Sequence, residues 1–196
     1  METKILELEN KIKLLEKPET ILDSKIISKN EEIDFVINRL KQALNNKTFN
    51  FNLLYRATKD GDALSVFHSK CDFKTKVLVL YHTIKGVRFG GYTEIGFDSS
   101  GDFRDDLNCF LFSINKKTIY KAKNHQQIFC HKGNGPCFGN SVIYLYDDVA
   151  ILSKNKKKHK TCTSTESFEG LNGYEINNGE QYFNLQELEV YQIVFN

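Results

Sequence analysis

Five cysteines are the residues of this 196-residue chain best suited to chemistry, because a thiolate can act as a nucleophile, a redox centre or a metal ligand. They are Cys71, Cys109, Cys130, Cys137 and Cys162. Cys162 lies in a polar segment and is expected to be exposed, while Cys130 and Cys137 flank a glycine-rich turn and are expected to be partly accessible. Exposed thiolates near Lys or His are oxidisable. Cys130, Cys137 and Cys162 are therefore the candidate redox-sensitive thiols.

Two histidines lie close to cysteines in the sequence. His68 precedes Cys71 by three residues, and His131 directly follows Cys130. A zinc site needs four converging ligands, and no Cys-x-x-Cys pair is present to supply them. A Cys–His dyad stays open, since its members meet in space rather than in sequence. Cysteine is most often a small buried apolar residue, so we predict no metal, no cofactor and no catalytic residue.

A run of oxygen-bearing side chains has the spacing of calcium ligands: Asp98, Ser100, Asp102 and Asp105. An EF-hand loop requires glycine at its sixth position, where this chain has Phe103. The flanking segments also have the pattern of strands rather than helices. We therefore predict a polar hairpin loop here instead of a calcium site.

The segment from Gly133 to Gly139 has the glycine content of a phosphate-binding loop. Such a loop needs a helix to follow it, so that backbone N–H groups point at the phosphate. Here Pro136 intervenes, and Val142 to Tyr146 has the pattern of a strand. The segment is better interpreted as a tight connection with unusual backbone angles.

Glu187 and Glu189 could act as an acid–base pair. They are two residues apart in a predicted strand and so lie on one face of it. Leu188 and Val190 alternate with them, which indicates a solvent face and a core face rather than a catalytic pair.

The charge balance gives no case for nucleic-acid binding. The net charge is +2, from 27 basic and 25 acidic residues, and a nucleic-acid binder typically has a strongly basic face. Lys154 to Lys160 is the one basic cluster and is interpreted as a solvated loop. The alternative is that it contacts an acidic partner or an anionic membrane.

Residues 1–46 are predicted to form a helical leader. Ile5, Leu8, Ile12 and Leu15 have the spacing of a short coiled coil, and Pro18 ends it. A second amphipathic helix is predicted from about Ser28 to Leu44, with Ser28 and Glu31 as a capping box. Its apolar stripe could pack on a partner helix or on the rest of the chain. The leader could therefore support a weak homo-oligomer.

Residues 47–196 have the pattern of short strands separated by turns, which is typical of an antiparallel sandwich. Lys76 to Tyr81 is nearly continuous in apolar residues, as expected of a central strand. The predicted fold class is α+β and mostly β: a two-sheet antiparallel β-sandwich with short flanking helices, preceded by the helical leader. No secretory signal or transmembrane run is evident, and the odd number of cysteines suits a reducing compartment, so we expect a cytoplasmic protein.

Residues 51–196 resemble the TLDc domain of the oxidation-resistance proteins. The resemblance starts at Leu53 to Asp62 and Phe67 to Asp72, and continues through Phe89 to Thr93, Gly135 to Gly139 and Glu187 to Ile193. The residues of these blocks that we expect to be structural are Asp60, Gly61, Phe67, His68, Cys71, Asp72, Phe89, Gly90, Gly91, Gly135, Pro136, Phe138, Gly139, Glu187 and Glu189. The glycines are expected to shape turns, and Phe67, Phe89 and Phe138 to fill the core.

The resemblance implies a β-sandwich without established catalytic residues. It also implies a role in oxidative-stress resistance, or binding to and regulation of the vacuolar proton-pumping ATPase (V-ATPase). Segment 153–173 and the stretch after Gly139 depart from the family pattern, which puts the partner in doubt. The leading hypothesis is a non-catalytic interaction module with a protein partner. A thiol-dependent antioxidant enzyme and an oligomeric scaffold built by the leader helices are the alternatives.

Overall fold

The computed structural model describes residues 21–140, 142–145, 159–161 and 167–196. The predicted coiled coil, Cys162 and nearly all of the Lys154–Lys160 cluster lie outside these residues. The described elements, in chain order, are α1 (Asn30–Ala43), β1 (Phe49–Arg56), α2 (Ala57–Asp60), α3 (Leu64–Cys71), β2 (Val77–Thr83), β3 (Arg88–Thr93), β4 (Ser100–Arg104), β5 (Phe110–Ser113), β6 (Thr118–Lys121), β7 (Ile128–His131), β8 (Cys137–Phe138), β9 (Ile143–Tyr144), β10 (His159–Thr161), a 3-10 helix (Glu175–Asn177), β11 (Tyr182–Phe183) and β12 (Leu185–Phe195).

The strands form two six-stranded antiparallel sheets. Sheet I has the order β1-β12-β2-β3-β5-β6, and sheet II has the order β11-β10-β9-β8-β7-β4. Side chains of both sheets meet in one inner core, which includes Val79, Phe89, Ile128 and Phe138. The prediction of a mostly β fold with two antiparallel sheets and few helices is confirmed.

Strand β2 shows that sheet I is packed on both of its faces. Alternate residues of a strand point to opposite faces. Val77 and Val79 belong to the inner core, whereas Leu78 and Leu80 belong to an outer core on the other face of sheet I. A strand buried on both faces has to be apolar throughout, and this is the pattern that predicted a central strand.

Helix α1 covers the outer face of sheet I. Its buried residues Val36, Ile37 and Leu40 share the outer core with Leu78 of β2 and Phe112 of β5. The apolar stripe of this helix therefore packs on the chain's own sheet. The sequence left open whether this stripe packs on a partner helix or on the rest of the chain. The structure shows the second, so no partner helix is needed to bury the stripe.

Two local predictions were wrong. The N-cap of α1 is Lys29, which makes no side-chain capping bond, and Glu31 forms an exposed ion pair with Lys117. The capping box expected from Ser28 and Glu31 is therefore absent. In the segment expected to be a polar hairpin loop, Ser100–Arg104 pairs with β7 as the edge strand β4. Its side chains are mostly exposed, which is why the sequence lacks the apolar signature of a strand.

We expect Leu40→Ala in α1 to lower the free energy of unfolding by about 2–5 kcal/mol, because it empties a fully buried site. Urea or thermal denaturation measures the change. The matched control is Leu107→Ala, which removes the same atoms from a side chain that is 72% exposed and should change little. Equal stability of the two variants would show that α1 does not share a core with sheet I.

Candidate functional site

The two candidate thiols in the described part of the chain are buried. Cys130 is 1% exposed and Cys137 is 0% exposed, so the expected partial access was wrong. Burial raises the pKa of Cys130 to about 11 and that of Cys137 to about 12. The Cys137 Sγ also accepts a hydrogen bond from the backbone N–H of Leu145 at 3.4 Å. At neutral pH both are protonated thiols enclosed in the protein, and a protonated thiol is a poor nucleophile.

The other two described cysteines are equally enclosed. Cys71 and Cys109 both belong to the inner core, and burial raises the pKa of each. Cys71 is therefore not available as a nucleophile beside His68. Among the described residues, no three or more His, Cys, Asp or Glu side chains are grouped so that they could hold a metal ion.

His68, Asp72 and Ser99 form a cluster with the residue types of a hydrolytic triad. The His68 Nδ1 lies 3.0 Å from Asp72 Oδ1 and 2.9 Å from the Ser99 Oγ, and the Ser99 hydroxyl donates to Asp72 Oδ2 at 2.6 Å. A triad needs the serine and the carboxylate on opposite ring nitrogens. Here both use Nδ1, while Nε2 is buried and has no hydrogen-bond partner within the described ranges. The imidazole cannot relay a proton from Ser99 in this arrangement.

This cluster instead joins two loops. Asp72 forms a backbone bridge with Phe97, and the N–H of Phe73 donates to the carbonyl of Phe97 at 2.8 Å. Phe73 and Ser99 both have positive φ angles, 62° and 61°. Such angles are costly for residues with side chains and persist only where the surroundings impose them. One result is that the Phe73 ring is held 81% exposed.

Glu189 is a fully buried carboxylate in β12 of sheet I, so the expectation that it faces solvent was wrong. Its Oε1 accepts bonds from Arg56 Nε at 2.6 Å and from the Lys25 N–H at 3.0 Å. Its Oε2 accepts a bond from the Ser24 hydroxyl at 2.5 Å and lies 2.9 Å from the Tyr191 hydroxyl. A buried charge is tolerated only when it is paired and fully hydrogen-bonded, as here.

Glu187 has a similar structural role. It is 5% exposed and accepts hydrogen bonds from the backbone N–H and the hydroxyl of Thr58 in α2. Asp60 ends the same short helix and accepts bonds from the Arg56 N–H at 2.9 Å and from Lys70 Nζ at 3.0 Å. The hydroxyl of Tyr55 donates to the carbonyl of Gly61 at 2.8 Å. The acidic residues of the family-like blocks thus hold α2 and α3 against sheet I.

The glycine blocks depart from expectation at one place. Gly90 and Gly91 lie inside β3 and not in a turn. A Cβ on Gly90 would come within 2.3 Å of the Phe112 ring, and one on Gly91 within 2.7 Å of the Phe138 ring. The two glycines therefore make room for aromatic rings in both cores. Gly139 does have a positive φ of 66°, as a turn glycine would.

The remaining block residues are also enclosed. Phe67, Phe89 and Phe138 are at most 1% exposed and belong to the inner core. The Tyr81 hydroxyl donates to the carbonyl of Pro136 at 2.8 Å, and Gly135 lies against Leu145.

Two of the carboxylates with calcium-ligand spacing around β4 have ionic partners within the protein. Asp98 lies 2.8 Å from Arg104, and Asp105 lies 3.1 Å from His125. Asp98 also accepts a bond from the backbone N–H of Ser100 at 3.1 Å.

Two cavities lie at opposite ends of β2, away from these blocks. One, of about 560 Å³, lies at the β2–β3 hairpin and is lined by Lys85, Asn177, Glu180 and Asn184 among others. The other, of about 480 Å³, lies where α1 ends and β1 and β2 begin, and is lined by residues that include Arg39, Lys47, Lys76 and Phe195. Neither cavity has a signature in the sequence, because each is assembled from residues that are far apart in the chain.

The architecture defines a two-sheet β-sandwich whose central sheet is covered by a helix. The family model of the TLDc domain matches residues 21–194, and the chain belongs to this family. The match includes α1 and the segment before it, which also share the outer core. No curated protein matches the chain. In the described residues, no helix is both long enough and apolar enough to cross a membrane.

We expect Glu189→Gln to lower the free energy of unfolding by about 3–5 kcal/mol, because it leaves the buried Arg56 guanidinium without its counter-charge. Chemical denaturation measures this loss. The control is Glu31→Gln, which breaks the exposed pair with Lys117 and should leave the stability unchanged within error. Wild-type stability of Glu189→Gln would show that the buried pair does not hold the fold.

Thiol labelling tests the enclosure of the cysteines. In a Cys162→Ser variant the four remaining thiols should react with Ellman's reagent only as fast as the protein unfolds, because all four are buried. In denaturant all four should react at once. Rapid labelling of the folded variant, traced by mass spectrometry to Cys130 or Cys137, would contradict their burial.

Proposed function

We propose that this chain is a non-catalytic interaction module of the cytoplasm, acting in oxidative-stress resistance or in the binding and regulation of the V-ATPase. Membership of the TLDc family supports the general class of function. The specific roles, at the pump or in the stress response, are what the resemblance to that family implies.

One observation carries the non-catalytic part of this proposal. The residues whose types could do chemistry do not line the two cavities. The charged residues of the family-like blocks have structural partners, such as Arg56 for Glu189 and Thr58 for Glu187. Neither of the two cavities described above is lined by a residue of these blocks. Enzyme sites combine reactive groups with a concave pocket, whereas this arrangement favours binding through the surface.

Phe73 is the side chain that we propose as an anchor for the partner. It is the most exposed of the large hydrophobic residues in the described part of the chain. The backbone bond to Phe97 holds the main chain at Phe73, so little backbone freedom is lost on binding. Aromatic residues held rigidly at the surface are frequent energetic centres of protein interfaces.

The alternatives receive less support. The four described thiols are enclosed and protonated, which disfavours a thiol-dependent antioxidant enzyme that uses Cys71, Cys130 or Cys137. A scaffold built by residues 1–46 cannot use the apolar stripe of α1 without uncovering sheet I. Oligomerisation through the leader would therefore have to use other residues than this stripe, and size measurement with and without residues 1–20 tests the part before residue 21.

Co-sedimentation with purified peripheral sectors of the V-ATPase tests the pump hypothesis. We expect the full-length chain to bind and Phe73→Asn to weaken binding by about tenfold or more, since loss of an interface anchor costs at least 1–2 kcal/mol. Asparagine tolerates positive φ, so the loop conformation is retained.

The matched control is Ile84→Asn, at an exposed residue 52% accessible at the other end of β2. A variant with all five cysteines replaced by serine should bind like wild type if it folds. No co-sedimentation of folded wild-type protein would refute the pump partner. Protection of cells from peroxide that is lost in the cysteine-free variant, with its fold intact, would favour the thiol hypothesis.

A further inference from the structure

The cavity at the start of β2 is an open groove with an excess of positive charge. Arg39 of α1, Lys47 before β1 and Lys76 before β2 line it, together with a single carboxylate, Glu94. Leu107 and Phe195 lie at its edge and are 72% and 38% exposed. We call this set of six residues the cationic groove.

The cations of the groove are poorly neutralised within the described ranges. The Arg39 guanidinium lies 4.3 Å above the Phe110 ring, and its Nε is buried without a hydrogen-bond partner. Lys47 lies 5.0 Å from the Phe195 ring centroid and forms no ion pair with any described residue. Lys76 lies 3.8 Å from Glu94, and Glu94 also accepts a bond from Asn108. One partly shared carboxylate therefore faces three cations.

An unpaired, partly buried cation is an unfavourable arrangement that an incoming anion can relieve. Burial lowers the pKa of Arg39, because removal of water disfavours its charged form. A carboxylate beside the guanidinium would restore that lost solvation through charge-assisted hydrogen bonds. The C-terminus of α1 also lies at the groove, but its partial charge of about −0.5 is smaller than the net excess of positive charge.

The shape and rim of the groove favour a peptide over other anions. A volume of about 480 Å³ admits several side chains, and the exposed Leu107 and Phe195 offer apolar contacts that a bare inorganic anion cannot use. A membrane surface is flat and would fit poorly against a concave site lined by the half-buried Arg39. We propose that the cationic groove binds an acidic peptide segment of a partner protein, with its carboxylates against Arg39, Lys47 and Lys76 and an apolar side chain against the exposed Leu107. The inference rests on the proposed function as an interaction module and specifies the chemistry of the partner.

Fluorescence anisotropy with a short labelled peptide of alternating Glu and Ser and one central Leu tests the groove in the full-length protein. We expect saturable binding that weakens with added salt and is lost when Gln replaces every Glu in the peptide. The double variant Arg39→Gln/Lys47→Gln should weaken binding by about tenfold or more. Lys47→Gln alone should weaken it by about threefold, and its exposed position leaves the fold unchanged.

The matched control is Lys85→Gln, which removes one exposed lysine at the opposite end of β2 and should leave peptide affinity unchanged. Equal loss in this control, or no peptide binding to wild type, would overturn the proposal. So would inorganic phosphate competing as strongly as the peptide, since the site would then bind small anions. Groove-dependent binding to phosphatidylserine vesicles without peptide binding would assign the groove to membranes and also overturn it.

The groove and the pump hypothesis fail separately. Pump co-sedimentation that is retained in the double variant, together with absent peptide binding, would remove the groove and keep the proposed function. Peptide binding at the groove without any co-sedimentation would keep the groove and remove the pump as partner.

Discussion

The buried carboxylate of Glu189 is the interaction on which the arrangement of this molecule depends most. It lies in β12, which stands between the edge strand β1 and β2 in sheet I. Through it, the guanidinium of Arg56 in β1 and the polar groups of Ser24 and Lys25 are drawn to one point. An uncompensated charge at this depth would cost several kcal/mol, so all of these groups must stay in place together. The network thereby fixes the position of the segment around Ser24 and Lys25, just before α1 begins.

Once the segment that leads into it is fixed, α1 covers a sheet that is apolar on both faces. Sheet I presents Leu78 and Leu80 away from the sandwich, and without α1 these side chains would meet water. In the usual β-sandwich the residues that face outward are polar, and on sheet I they are not. The salt bridge between Arg88 of β3 and Glu32 of α1 adds a second polar tie between helix and sheet. The helix is therefore part of the packed structure and not an independent attachment.

The sequence predicts the elements of this fold better than it predicts their roles. The continuous apolar run of β2 and the period of α1 are both visible because each reflects burial along one element. The prediction for Glu189 was wrong because alternation in a strand normally separates core from solvent. Nothing in the sequence reveals that Arg56 and Ser24 lie beside Glu189 and bond to it. Strand β4 was missed for the converse reason, since an exposed edge strand carries no apolar signature. The cationic groove was invisible because Arg39, Lys47 and Lys76 come together only where α1, β1 and β2 have their ends.

The proposed binding determinants lie away from the residues that first attract attention. Cysteine, histidine and paired glutamates suggest chemistry, yet in this fold the described ones are enclosed or bonded within the structure. A buried, satisfied side chain has no remaining capacity to recognise a partner, because its polar atoms are already used. Capacity remains where solvation or pairing is incomplete, at the exposed Phe73 ring and at the Arg39 guanidinium. The proposed partner recognition therefore uses lysines, arginines and exposed hydrophobic residues, whose types alone carry no functional signature.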